Sequence, residues 1–141
     1  MRLHNKPNRF FERMNALLRG DYFRSDSDML RKYADIISEA LKKHETEHNL
    51  VCYRGIDVNP LVGIDVSGPF TFRQFISTSV IKTKSFDREY RMTIYVPIGI
   101  HGAYIERISA YPKQREFLLD RDCIYRLCNM TQKTIFLEVL E

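Results

Sequence analysis

Ile108-Ser109-Ala110-Tyr111-Pro112-Lys113-Gln114-Arg115-Glu116-Phe117-Leu118-Leu119 is the stretch whose reading decides the fold. Its first part is a loop signal with one aromatic, one amide and one carboxylate. Its last part, from Glu116, is a short apolar run bounded by turn residues, which reads as a strand. A carboxylate that opens a strand is held rigidly, and rigidity is what site chemistry needs. The strand character continues outward on both sides. Towards the C-terminus, 123–128 and 134–140 are strand-like. Towards the N-terminus, 103–108 and 91–97 are strands, the latter with Met92, Ile94 and Val96 on one face, and Pro97-Ile98-Gly99 turns the chain between them. One or two short strands fall within 70–80, residues 57–69 read as loop, and 50–56 is β-prone.

Before Asn49 the period changes to that of a helix. Asn8 is placed to cap a helix over about 9–19, closed by Gly20. Asp26 or Ser27 then caps a longer helix to about residue 45, with Leu30, Tyr33, Ala34, Ile37, Leu41 and His44 on one stripe. Helices first and strands later predict an α+β fold. A chain of 141 residues suits one domain, 1–141, with a helical part over 1–49 and a β-rich core over 50–141.

The bulk properties narrow the function classes. A content of 44% apolar residues predicts a globular chain, and a net charge of +4 is too weak for the footprint of a nucleic-acid binder. No stretch approaches the ~20 apolar residues of a membrane span. The first residues, Met1 to Pro7, lack the apolar core of a signal peptide. The expected location is therefore cytoplasmic, or a host cell reached by a non-classical route. Cys52, Cys123 and Cys128 are odd in number and form no C-x-x-C pair, so buried thiols are expected rather than a disulfide framework. His44 and His48 lie four apart, as zinc ligands can, but no third ligand is near, and no metal is expected.

Three polar points interrupt the strands in order. Arg54 follows the apolar run Val51-Cys52-Tyr53; a guanidinium there needs an anionic partner, and Gly55 beside it allows close approach of a ligand or a backbone. Ser77-Thr78-Ser79 puts two hydroxyls on one strand face and one on the other. Glu116 opens its strand with Gln114 two residues earlier on the same face, and such a carboxylate can accept from sugar hydroxyls and stabilise positive charge on a ribose carbon. Taken singly, each has a plain structural alternative: an ion pair, an edge strand of small polar residues, a surface carboxylate.

Taken in order, Arg, Ser-Thr-Ser and Gln-x-Glu resemble the mono-ADP-ribosyltransferases of bacterial toxin type. Local matches support this. Gly102-Ala103-Tyr104-Ile105 is similar to the family's Gly-Ala-Tyr strand, and Phe117-Leu118-Leu119-Asp120-Arg121 to the strand and turn after its catalytic Glu. The pattern Tyr111-x-x-Gln114-x-Glu116 is similar to that of the clostridial Rho-modifying exoenzymes, which modify an asparagine. The resemblance covers about 50–141, with a looser match over 26–45. The helical part ahead of Arg54 and the stretch from Arg54 to Ser77 are both short for the family.

The resemblance implies a mostly antiparallel two-sheet core with helices packed on it and a cleft for NAD. It implies an enzyme that moves ADP-ribose from NAD to a protein, with NAD hydrolysis or an inactive binding module as the alternatives. The implied catalytic residues are Glu116, Gln114, Ser77 and Arg54. The implied NAD-binding residues are Arg54, Gly55, Ser77, Thr78, Phe86, Arg88 and Glu116, with Phe86 on the nicotinamide and Arg88, with Lys82 or Lys84, at the diphosphate. Tyr111 and Gln114 are the implied contacts to the target. Gln114, where arginine-modifying relatives usually carry Glu, implies an amide acceptor, because an amide cannot act as a base but can pair with another amide. The expected partners are NAD and an unidentified target protein, with no membrane, no nucleic acid, no metal and a monomeric chain.

Overall fold

Gly20 ends the first helix by a Schellman closure. Its φ of +90° suits glycine, its N–H donates to the Leu17 carbonyl at 3.0 Å, and the Asp21 N–H donates to Ala16 at 2.8 Å. The computed structural model describes residues 5–21, 26–82, 88–105 and 116–141, with side chains from Glu12 onward. The first helix, α1 (Asn5–Arg19), starts earlier than expected: Asn8 lies inside it rather than at its cap, and Pro7 is tolerated in the first turn, where its missing N–H has no partner to lose. The second helix, α2 (Ser27–Leu41), stops short of residue 45. There the hydrogen bonds tighten, with Lys43 donating to Ala40 and His44 to Leu41. The chain is then captured by extended pairing, Glu45 bridging His101 and Thr46 N–H donating to Ile100 at 2.9 Å. Leu30, Ala34, Ser38 and Leu41 are the buried stripe of α2, while Tyr33, expected on that stripe, is exposed, and His44 lies beyond the helix end. Among the described residues, no helix is long and apolar enough to cross a membrane.

Eight strands follow: β1 (Leu50–Ile56), β2 (Phe70–Thr71), β3 (Ile76–Ser79), β4 (Tyr90–Val96), β5 (Gly102–Ile105), β6 (Glu116–Leu119), β7 (Ile124–Met130) and β8 (Thr134–Val139). The expected bounds of β1 and of the apolar run from Glu116 coincide with the observed ones. The strands form one sheet in the order β2-β7-β8-β4-β1-β3-β6-β5, antiparallel except for β4 against β8. The two sheets expected from the sequence are thus joined in one ladder, and the joint is narrow: β1 and β3 share the single register pair Tyr53↔Ser79. Side chains from both sides of that joint nevertheless pack into one core, Ile76, Phe117 and Leu119 with Met92, Ile94, Ile135 and Leu137. A second, smaller core lies under the helices, where Met14, Leu17, Leu30 and Leu41 meet Phe75 and Leu118.

Cys52 and Cys123 are buried, as expected, and Cys128 is exposed beside the register shift at Leu127/Asn129.

Candidate active site

The narrow joint is where the singled-out polar residues meet. Glu116, the first residue of β6, stands directly opposite Ser79 on β3, and Ser77 faces Leu118 one step along the same face. The Arg54 guanidinium on β1 crosses the joint and donates from Nη1 to the Ser77 carbonyl at 2.8 Å. Arg54, Ser77 and Glu116 are all half-buried, so each is held by its neighbours and keeps part of its surface exposed.

The electrostatics favour an anion. Burial lowers the proton affinity of Arg54; the charge of Arg19 lowers it further, Glu116 opposes this, and Arg88 adds to the lowering. The guanidinium stays charged all the same, so Arg54, Arg19 and Arg88 are three cations whose charges act on one another. Two of them carry partners, Arg19 with Asp21 at 3.3 Å and Arg88 with Asp57 at 2.7 Å, both at the surface.

Not every expected residue is available. Thr78, expected among the cofactor contacts, points the other way: it is buried, and its hydroxyl donates to the Phe117 carbonyl at 2.7 Å. It is a strut between β3 and β6, and strand alternation puts it on the face opposite Ser77 and Ser79. The Ser79 hydroxyl accepts from the Ile81 N–H at 3.0 Å and so shapes the exit of β3. Gly55 pairs with Arg91 in the ladder next to Arg54, and Lys82 follows the end of β3. Lys84, Phe86, Tyr111 and Gln114 lie outside the described residues.

Two further residues bear on the joint. Arg19, the last residue of α1, acts on Arg54 through its charge. Gly102 read as one letter of a short motif. A Cβ there would lie 2.7 Å from the Phe117 ring and 2.8 Å from the Leu118 carbonyl oxygen. Its bare backbone lets β5 close on β6, with Tyr104 edge-on to Phe117 at 5.2 Å between centroids, directly behind Glu116.

The family model for the ADP-ribosyltransferase exoenzymes matches residues 9–136. An Enterococcus faecalis protein, the NAD(+)–arginine ADP-ribosyltransferase EFV, is 30% identical over 125 residues. That match takes in 82% of this chain and 25% of the relative, so the chain spans about a quarter of the relative's length. Among solved structures, the orthorhombic form of C3larvin toxin from Paenibacillus larvae superposes with a TM-score of 0.72 at 22% identity, over 99% of this chain and 96% of that one. The C3 exoenzyme of Clostridium limosum gives 0.72 at 20% identity, over 97% of this chain and 80% of its own. The enterotoxin component BECa of C. perfringens gives 0.77 at 19% identity, over 98% of this chain and 42% of its own. These likenesses establish the fold.

Proposed function

We infer, for a chain that belongs to the ADP-ribosyltransferase exoenzyme family, that it transfers ADP-ribose from NAD to a target protein with release of nicotinamide, and that the acceptor is a side-chain amide. The observation that carries the reading is the meeting of Arg54, Ser77 and Glu116 across the joint of β1, β3 and β6. Arg54 holds phosphate and the nicotinamide ribose, Gly55 lets the dinucleotide approach, and Arg19 and Arg88 share the diphosphate charge. Glu116 accepts from a ribose hydroxyl and stabilises the positive charge that develops at the anomeric carbon as the C–N bond breaks. Nicotinamide leaves with the electron pair of that bond. The acceptor nitrogen forms the new bond to the anomeric carbon and gives its proton to solvent. Ser77 orients Glu116, Phe86 packs on the nicotinamide, and Tyr111 and Gln114 meet the target, Gln114 pairing with an amide through one donor and one acceptor.

A second acceptor has its own support. The Enterococcus relative is named for arginine, and a guanidinium nucleophile would meet Gln114 in place of the carboxylate that commonly assists it. The two readings separate by mapping the modified residue by mass spectrometry after reaction with NAD and a cell lysate. Modified Asn or Gln upholds the amide reading, and modified Arg replaces it. Under the amide reading, Gln114→Ala lowers transfer to protein and spares NAD hydrolysis. An equal loss of both would move Gln114 from the acceptor to NAD.

A further inference from the structure

At the end of β6 opposite Glu116, three metal-ligating side chains gather from separate parts of the chain. His101 immediately precedes β5, Asp120 follows β6, and Asp122 lies in the turn before β7. Each offers one ligand atom, and the three atoms lie within 4.8 Å of one another. Among the described residues this is the single such cluster; His44 and His48, four apart in sequence, do not form one.

Asp120 is the unusual member. It is 1% exposed, yet only one of its oxygens is satisfied. Oδ1 accepts from the Ser38 hydroxyl at 2.6 Å and from the Arg121 N–H at 2.8 Å. Oδ2 is buried and has no hydrogen-bond partner among the described residues. A buried carboxylate oxygen without a donor is costly, and a second carboxylate beside it makes the cost larger. Burial, with Asp122 nearby, holds the Asp120 carboxyl above the usual range, against the hydrogen bonds from Ser38 and Arg121 and the charge of Lys42. The backbone fixes the arrangement, with Asp120 N–H donating to the His101 carbonyl at 3.4 Å and Cys123 N–H to the Asp120 carbonyl at 3.3 Å.

We propose that His101, Asp120 and Asp122 form a binding site for a divalent transition cation of the zinc type. One imidazole nitrogen and two carboxylate oxygens favour such an ion over magnesium or calcium, which take oxygen ligands alone. Three protein ligands leave a fourth tetrahedral position for water or for Glu45, whose Oε1 is 3.9 Å from His101 Nε2. Zinc bonds of about 2.0–2.1 Å bring ligand atoms to roughly 3.4 Å apart. His101 and Asp122 make that approach, since their side chains retain exposure while Asp120 is fixed. A bound cation ties the start of β5 to the β6–β7 turn and, through Asp120 and Ser38, to α2.

The test is a zinc titration of the tag-free, chelator-treated chain by calorimetry and thermal unfolding, beside the surface variants His101→Gln and Asp122→Asn. The expected result is one zinc per chain and a rise in Tm on the order of 5 °C at saturation. Each variant keeps a near-normal Tm without metal and loses at least about tenfold in zinc affinity, while magnesium at the same concentration has no effect. Absence of zinc binding by the parent chain overturns the proposal. So does zinc binding that both variants retain unchanged, which would place the ion on other surface histidines or on Cys128.

Discussion

The sheet has two unequal wings, and they do different work. On one side of the β1–β3 joint, β1, β4, β7 and β8 run six or seven residues and pair along most of their length. On the other, β3, β5 and β6 have four residues each and lean on the two helices. The long wing supports itself through its ladder and the shared core. The short wing depends on its neighbours: Phe75 under α1 and α2, the Asn15 side chain accepting from the Phe75 N–H at 3.2 Å, and the Thr78 strut to Phe117. The candidate site residues Arg54, Ser77 and Glu116 sit on the short wing and at the joint. A rigid scaffold that presents strand starts can vary its site without rebuilding its core.

The contrast can be broken from either side. The largest stability effect belongs to the long wing: Leu137→Ala, at a fully buried position, should cost about 2–5 kcal/mol. Chemical denaturation should show both wings unfolding together, because the core is shared; separate transitions for the two wings would refute that sharing. Next is Gly102→Ala, where the new methyl meets the Phe117 ring and the Leu118 backbone. A cost of about 1–3 kcal/mol is expected, with a loss of turnover larger than the loss of folded protein, because the displaced strand carries Glu116. Unchanged turnover in a folded variant would mean that the β5–β6 contact does not position the carboxylate.

Thr78→Val should cost about 1 kcal/mol by leaving the Phe117 carbonyl without its hydroxyl donor, and NAD affinity should stay unchanged. A clear loss of affinity would return Thr78 to the cofactor contacts. The mildest probe is thiol labelling of the native chain. Cys128 should react first. Cys52 and Cys123 should wait for unfolding, since burial pushes both thiols up, that of Cys123 to about 12. Fast labelling of all three would show that the core opens readily.

Much of this was legible in the sequence, for a physical reason. Leu50–Ile56 lies between Asn49 and Asp57, and Glu116–Leu119 ends at Asp120, residues that disfavour strands, so these bounds agree with expectation. The strand positions of Arg54, Ser77 and Glu116 follow from local pattern, but their choice as a set came from the family resemblance, since each alone has a plain structural alternative. Local pattern also made Thr78 readable as facing away from its neighbouring serines, although the family resemblance grouped it with the cofactor contacts. What failed to show was set by tertiary capture. The end of α2 depends on Glu45 and Thr46 being drawn to Ile100 and His101, a pairing no window around residue 45 contains. The influence of the Arg19 charge on Arg54 depends on how α1 docks. The cluster of His101 with Asp120 and Asp122 exists only because β5 lies against β6, whereas the sequence drew attention to the nearer pair His44 and His48.

The most direct test of the account is incubation of the purified chain with labelled NAD and a whole-cell lysate, beside Glu116→Gln. The variant should fold normally and bind NAD, yet lose roughly 10²–10³-fold or more in turnover, so that a labelled protein band made by the parent chain disappears. Equal labelling by parent and variant would contradict the assignment of Glu116 and, with it, the reading of the β1–β3–β6 joint as the active site.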